Sequence, residues 1–292
     1  MTASAGFIRL LNAKVDIYHN AKICGNWQIN AHHVGRTCFH VVTEGMCLLA
    51  LPGQADCVLR TGDLVLFPKE IEHTLMPVDP LAGEQQHLPY VQAQHLEGTG
   101  LLCASVQLNH GAGRYLLDAI PEVLIIRNNS ANAWLSPLTE LLRIEHYQQG
   151  PLGDVVIQRL CELMFTYPMA NCIEDSTVQT GLLALYAHPR LSAAIQAMHD
   201  HPSKSWSLEA LAQQAAMSRT AFATAFKELS GWTPMQYLTW WRMQLAWHLL
   251  ADGEPVAIVA DKIGYQSEAA FSRAFKSEFK QTAGEVRRGA RN

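Results

Sequence analysis

The chain has 292 residues, 49% of them hydrophobic, an ordinary composition for a globular protein of two domains. No run of eighteen apolar residues occurs, and "MTASAGFIRLLNAK" lacks the basic, apolar and small-residue order of an export signal, so neither a membrane span nor secretion is expected and the chain is placed in the cytoplasm. The net charge of −4 hides an asymmetry: residues 188–292 carry 12 Lys and Arg against 9 Asp and Glu, the preceding 187 carry 10 against 17, and a basic third on an acidic body suits a nucleic-acid partner.

Residues from about 8 to 110 are rich in strand signals. "TCFHVV" (37–42), "MCLLAL" (46–51), "DCVLR" (56–60) and "LVLFP" (64–68) are short and apolar, and they are separated by Glu44-Gly45, Pro52-Gly53 and Thr61-Gly62-Asp63. Such punctuation predicts a β-barrel or sandwich, bounded here at 1–130. A helical connector follows over 131–187. "AWLSPLTELLRIEHY" (133–147) has helical apolar spacing, "GPLGD" (150–154) is a break, and Asp154 is the expected N-cap of a helix over "VVIQRLCELMFTY". "PMANCIEDSTVQT" (168–180) reads as a loop, and a further helix fits 190–200. The apolar stripe Trp134, Leu138, Leu141 and Leu142 exceeds what one small barrel covers, so a homodimer through the helical segment 133–200 or through a barrel face is expected.

The last ninety residues contain an internal repeat. "SLEALAQQAAMSRTAFATAFKELSGWTP" (207–234) matches "VAIVADKIGYQSEAAFSRAFKSEFKQTA" (256–283). Phe222, Phe226 and Thr233 fall 49 residues before Phe271, Phe275 and Thr282, whereas Ala212 and Met217 fall 48 before Ala260 and Tyr265. The second copy therefore has one extra residue in its turn. Each copy reads as helix, turn, helix (207–229 and 256–279), and "PMQYLTWWRMQLAWHLLADG" between them reads as one long helix with Tyr237, Trp241, Leu245 and Leu249 on a stripe. A rigid link of this kind would hold two recognition helices one DNA turn apart, roughly 34 Å.

Behind each phenylalanine stripe lies a small, polar, partly basic front: Arg219, Thr220, Ala223, Thr224 and Lys227 in the first copy, and Glu268, Ala269, Ser272, Arg273 and Lys276 in the second. Small residues let a backbone approach base edges, an arginine can fork onto guanine, and lysines or hydroxyls reach phosphates. One such face is ordinary amphipathic packing; two at matched spacing point to DNA. The duplicated unit, on "LAQQAAMSRTAFATAFKELSGWTPMQYL", "RMQLAWHLL" and "IGYQSEAAFSRAFKSEF", resembles the DNA-binding domain of AraC/XylS-family transcription regulators over residues 188–288. The family's Gly-x-Thr-Pro stands as Gly231-Trp232-Thr233-Pro234 in the first copy and becomes Lys280-Gln281-Thr282-Ala283 in the second.

"GDLVLFPKEIEH" (62–73) resembles the second cupin motif in Gly62, Pro68 and His73, with Glu70 where a glycine is usual. The first cupin motif is broken: His32, His33 and His40 lie near its place without its spacing. Cupin enzymes hold a transition metal on such residues, and His40 and His73 with His33 or Glu44 would be the ligands here. The other reading, a hydrogen-bonded pocket without metal, is preferred because the spacing is broken; no cofactor is expected. With "RLLNA", "GNWQI" and "LYAHPRLSAAIQAM", the whole arrangement is similar to AraC-family regulators that carry a cupin sensor, most of all those that respond to reactive chlorine species.

Seven cysteines in a chain without an export signal are expected as thiols. Cys24, beside Lys22, has the local chemistry of a reactive thiol. The resemblance marks Cys103 as matching a redox-active cysteine, and places Cys24 about three residues from the other. The fold class is therefore α+β in two domains: a cupin-like barrel or sandwich followed by helices, then an all-α domain (188–292) with two helix-turn-helix units. The function implied is a transcription regulator rather than an enzyme, most simply an activator switched by cysteine oxidation, with promoter DNA, RNA polymerase and a second copy of the chain as partners. A small molecule or metal in the cupin pocket stays open as the signal, and a cupin enzyme with a helical tail is the more distant alternative.

Overall fold

In the computed structural model, residues 13–30, 35–79, 82–108, 120–148, 150–174 and 181–289 are described, with positions 8 and 117. They divide into a strand-rich unit within 13–169 and a helical unit from Ala170 onward. The division falls inside a helix rather than at the boundaries of 130 and 187 expected from the sequence.

The strand-rich unit holds β1 Ala13–Cys24, β2 Ile29–Asn30, β3 Thr37–Glu44, β4 Met46–Ala50, β5 Cys57–Arg60, β6 Leu64–Phe67, β7 Thr74–Met76, β8 Gln86–Leu88, β9 Thr99–Leu108 and β10 Leu124–Ile126, followed by helices α1 Leu135–Gln148 and α2 Gly153–Glu174. The strands form two antiparallel sheets, ordered β10-β6-β3-β9-β1-β8 and β2-β7-β4-β5. Trp27, Val42, Leu49, Leu59, Phe67, Leu75 and Leu101 fill the core. β3 is buried along seven of its eight residues, which explains why its sequence alternates only in part: α1 packs against it while its other side faces the core.

Two helix readings change. α2 begins at Gly153, so Asp154 sits in its first turn, not at the cap, where a carboxylate still meets the positive end of the helix dipole. α2 also runs through Pro168 to Glu174, into the stretch read as a loop. An internal proline costs about 3 kcal/mol; Met164, Phe165 and Met169, all within 1% of full burial, anchor the helix on both sides of it.

The helical unit comprises α3 Leu182–Ala187, α4 Leu191–Asp200, α5 Leu208–Gln214, α6 Arg219–Ser230, α7 Pro234–Ala251, α8 Val256–Lys262, α9 Glu268–Phe279 and α10 Ala283–Gly289. Its two repeats are built alike. After α5 the Met217 N–H donates to the Ala212 carbonyl at 3.0 Å, and after α8 the Tyr265 N–H donates to Ala260 at 2.9 Å. Ser218 and Ser267 then cap α6 and α9 by accepting from Ala221 and Ala270. The extra residue of the second copy is thus Gln266, between the end of the turn and its serine cap. Thr233 and Gln236 form a capping box at α7; Thr282 and Glu285 exchange the same two bonds at α10, so the second copy keeps its final turn without the proline.

α7 departs from its expected single stripe. Tyr237 and Trp241 are buried, but Leu245 and Leu249 are only half-buried, while Leu238, Trp240, Met243, Gln244, Ala246 and Leu250 are also inside. A helix shared by two units must present apolar groups on several sides: Met243, Ala246 and Leu250 join Val259, Phe271 and Phe275 in the core of the second repeat.

Candidate nucleic-acid interface and sensor site

α6 and α9 each bury one side and expose the other. Phe222, Phe226, Phe271 and Phe275 are fully buried, each contributing about 1.5–3 kcal/mol of transfer free energy. Around the remaining circumference Arg219, Thr220, Thr224 and Lys227 of α6 are exposed and Ala223 is half-buried. On α9 Glu268, Ala269, Arg273 and Lys276 are exposed and Ser272 is half-buried. The ten residues picked from the sequence thus form two solvent-facing surfaces of like composition. They differ in one respect. Arg219 is held by Glu209 of α5, Nη1 to Oε1 2.9 Å, whereas Arg273 makes no ion pair among the described residues.

The barrel histidines come together in part. His40 and His73 are each 2% exposed, and their Nε2 atoms lie 3.1 Å apart. His73 Nδ1 lies 2.9 Å from the Ile71 carbonyl, which can only accept, so Nδ1 carries the proton. His73 Nε2 is then the acceptor and His40 Nε2 the donor. The atoms that would face a metal are spent on each other, and Phe67 stacks on His73 with centroids 4.2 Å apart. Glu44 does not join them. A bulge between Val42 and Glu44 turns it away, to accept from Lys22 Nζ at 2.6 Å and from the Tyr147 hydroxyl at 2.8 Å. His33 lies outside the described residues. No group of three or more His, Cys, Asp or Glu among the described residues is placed to hold a metal.

The cysteines correct the expectation more sharply. Cys24 is 8% exposed, and burial raises its thiol pKa against the opposing pull of Lys22. Lys22 is itself committed to Glu44, a partner 22 residues away that local inspection does not reveal. Cys103 is fully buried, which pushes its thiol well above the ordinary value. The two are not bridgeable as they stand: Cys103 pairs with His19 across β1 and β9, and Cys24 lies five residues farther along β1. At 3.2–3.4 Å per residue that is roughly 16 Å, against about 7 Å for a disulfide. Sequence reasoning overlooked Cys57, which is half-buried with its sulfur 2.8 Å from Arg127 Nη2; the two are 70 residues apart and only the fold joins them.

Comparison with known proteins agrees with this geometry. Residues 5–174 match the family model described as Cupin and residues 211–289 the one described as Helix-turn-helix domain. The chain is 33% identical over 290 residues to the RCS-specific HTH-type transcriptional activator RclR of Escherichia coli (strain K12), covering 97% of this chain and 96% of that protein. It is 34% identical over 289 residues to the HTH-type transcriptional regulator AlkR of Acinetobacter baylyi (strain ATCC 33305 / BD413 / ADP1), covering 91% and 92%. A putative AraC-like transcription regulator of Streptomyces antibioticus is 29% identical over 264 residues, 86% of each chain. A cupin barrel, a duplicated helix-turn-helix unit and identity to such regulators along nearly the whole length together make this chain a member of the AraC/XylS family of DNA-binding transcription regulators.

Proposed function

We propose that α6 and α9 lie in successive major grooves of promoter DNA, with Arg273 reading guanine, Thr220 and Thr224 touching thymine methyls, and Lys227 and Lys276 holding phosphates. Arg219, Ala223, Glu268, Ala269 and Ser272 complete the two surfaces. The observation that carries this reading is the pair of exposed faces, each backed by buried phenylalanines. α9 supplies the sharper discrimination, because Arg273 is uncommitted while Arg219 is paired to Glu209. The chain acts by binding, not catalysis, in the cytoplasm, and activates by presenting RNA polymerase to the promoter.

The working form in this reading is a homodimer joined through α1 and α2. Of the expected stripe, Leu138 and Leu142 are interior and Trp134 stacks on Tyr167, but Leu141, Val155, Leu163 and Tyr167 are 45%, 59%, 43% and 41% exposed. That row of apolar groups is the surface offered to a second copy.

The signal is thiol oxidation by a reactive chlorine species, supported by the specificity named for RclR and by five cysteines within residues 24–103. Oxidation enters at Cys24, since Cys103 is enclosed. The thiol and hypochlorous acid give a sulfenic acid, a proton and chloride: the sulfur loses two electrons and the chlorine gains them. The test is capture of genomic DNA fragments with and without hypochlorous acid, followed by a promoter reporter carrying Cys24→Ala, Cys57→Ala or Cys103→Ala. Capture of specific fragments with full induction in all three variants would retain the DNA reading and remove the redox one.

A further inference from the structure

The segment between α4 and α5 runs directly into the first helix of the first repeat, where Ser207 caps α5 by accepting from the Ala210 N–H. It is folded on itself. The Lys204 N–H donates to the His201 carbonyl at 3.2 Å, and the Trp206 indole N–H donates to the same carbonyl at 3.0 Å. The Lys204 ammonium lies 4.1 Å from the centre of the Trp206 ring, which is itself buried.

Two contacts tie this segment to α7 and to the second repeat. Arg242, in the middle of α7, donates through Nε to the Pro202 carbonyl at 2.7 Å and through Nη2 to the Lys204 carbonyl at 2.9 Å. A guanidinium offers these donors in one plane, so it fixes the direction of the segment as well as its distance. Ser203 lies against Gly264, in the turn of the second repeat. A Cβ on Gly264 would stand 2.5 Å from the Ser203 carbonyl oxygen, 2.8 Å from its Cα and 2.9 Å from its carbonyl carbon.

The duplication shows what this glycine does. The same turn position in the first repeat is Ala216, one residue before Met217 as Gly264 is one residue before Tyr265. Ala216 has φ 50° and Gly264 φ 83°, both left-handed. The turn itself therefore accepts a Cβ; at Gly264 the backbone of Ser203 excludes one. α7 is one link between the repeats, and glycines lie at both of its ends, Gly231 with φ 76° and Gly253 with φ 88°. Such ends can pivot. The 201–206 segment is a second link, from α5 to α7 and the second turn, and two links fix an angle that one leaves free.

We propose that residues 201–206 are a strap that sets the angle and spacing between α6 and α9, with Arg242 and Gly264 as its positioning residues. This role rests on the reading of both helices as DNA-contacting. Engaging two grooves is a bivalent event, and its effective concentration is highest when the second helix is already aligned with its groove. The strap thus makes the protein a reader of the separation between two half-sites, roughly one helical turn, as well as of their bases.

The test has two arms, both on the full chain. Without DNA, nitroxide labels carried on p-acetylphenylalanine at Glu228 and Ser277, which are exposed on α6 and α9, report the distance between the helices by pulsed EPR. The distribution should be narrow in wild type and broader in Arg242→Ala and Gly264→Ala. Arg242→Lys, which can still donate to one of the two carbonyls, should fall between. With DNA, the operator recovered by genomic capture is compared with versions that have one half-site scrambled, or one base pair inserted between half-sites, a rotation of roughly 35°. Arg242→Ala should bind the whole operator about tenfold more weakly than wild type, bind the scrambled versions equally well, and lose less on insertion. A distribution as narrow as wild type in both folded alanine variants, or an unchanged response to insertion, would overturn the strap. A wild type that binds scrambled operators as tightly as the whole one removes the two-groove reading instead, and the EPR arm still decides the strap.

Discussion

Lys280 occupies in the second repeat the backbone position that Gly231 occupies in the first. Both close a recognition helix in the left-handed conformation, with φ 59° for Lys280 and 76° for Gly231, and both N–H groups donate to the carbonyl of a lysine four residues back. Glycine adopts this conformation freely and a lysine with its Cβ does not. Lys280→Gly is therefore expected to stabilise the protein by about 0.5–1 kcal/mol. Urea unfolding checks it, and a destabilised variant would show that the lysine side chain contributes more than its backbone strain costs.

Arg273→Ala should leave the fold intact and cost about 1–3 kcal/mol of specific binding, with discrimination lost at one base pair. Lys276→Ala should instead weaken binding to all sequences and reduce its salt dependence. Fluorescence anisotropy at two salt concentrations, on captured promoter fragments and on random duplex, separates the two. If Arg273→Ala binds its site as wild type does, α9 is not in the groove.

Acid should destabilise the strand-rich unit through His146. Its folded pKa of about 4 lies below the ordinary 6.5 because burial disfavours the charged ring, with Glu44 pulling weakly the other way. The stability is whole above pH 6.5 and is lost as the pH falls toward 4, because the unfolded chain takes up the proton first. About 2 kcal/mol is expected to go between pH 7 and pH 5. His19, lowered to about 4 by burial and by His87, acts in the same direction. Replacing His146 with Gln should flatten the curve of unfolding free energy against pH; an unaltered slope assigns the effect elsewhere.

Added zinc or cobalt should leave the Tm unchanged, and chelator should not lower it. His40 and His73 already bond each other through their Nε2 atoms, so a metal would have to break that bond, and among the described residues no group of three His, Cys, Asp or Glu is placed to hold it. A metal-dependent rise in Tm that is lost in His73→Ala would reverse this assignment.

Mild oxidation of the folded protein should give no Cys24–Cys103 disulfide. Mass spectrometry of peptides after hypochlorous acid, without denaturant, should find oxygen added at single cysteines. A dominant 24–103 crosslink would mean that β1 and β9 slide or separate, since their register holds these residues far apart.

What was legible in the sequence was mostly local. A helix bonds residue i to i+4, so the spacing of Phe271, Phe275 and Phe279 announces the buried side of α9, and Ser218 and Ser267 announce where two helices begin. Repetition of that pattern at 49 residues was enough to mark two like helices and their exposed faces. Strands β3 to β6 were visible as well, because Gly, Pro and Asp mark the turns between them, whereas the long strands β1 and β9 carry no such punctuation and were not placed. The sensor unit's chemistry was not, because strand pairing is non-local. Whether Lys22 activates Cys24 depended on Glu44, which takes its charge. Whether Cys24 meets Cys103 depended on the register of β1 against β9. His40 and His73 were expected as metal ligands or a pocket, and only their approach to 3.1 Å and the Ile71 carbonyl assigned the protons.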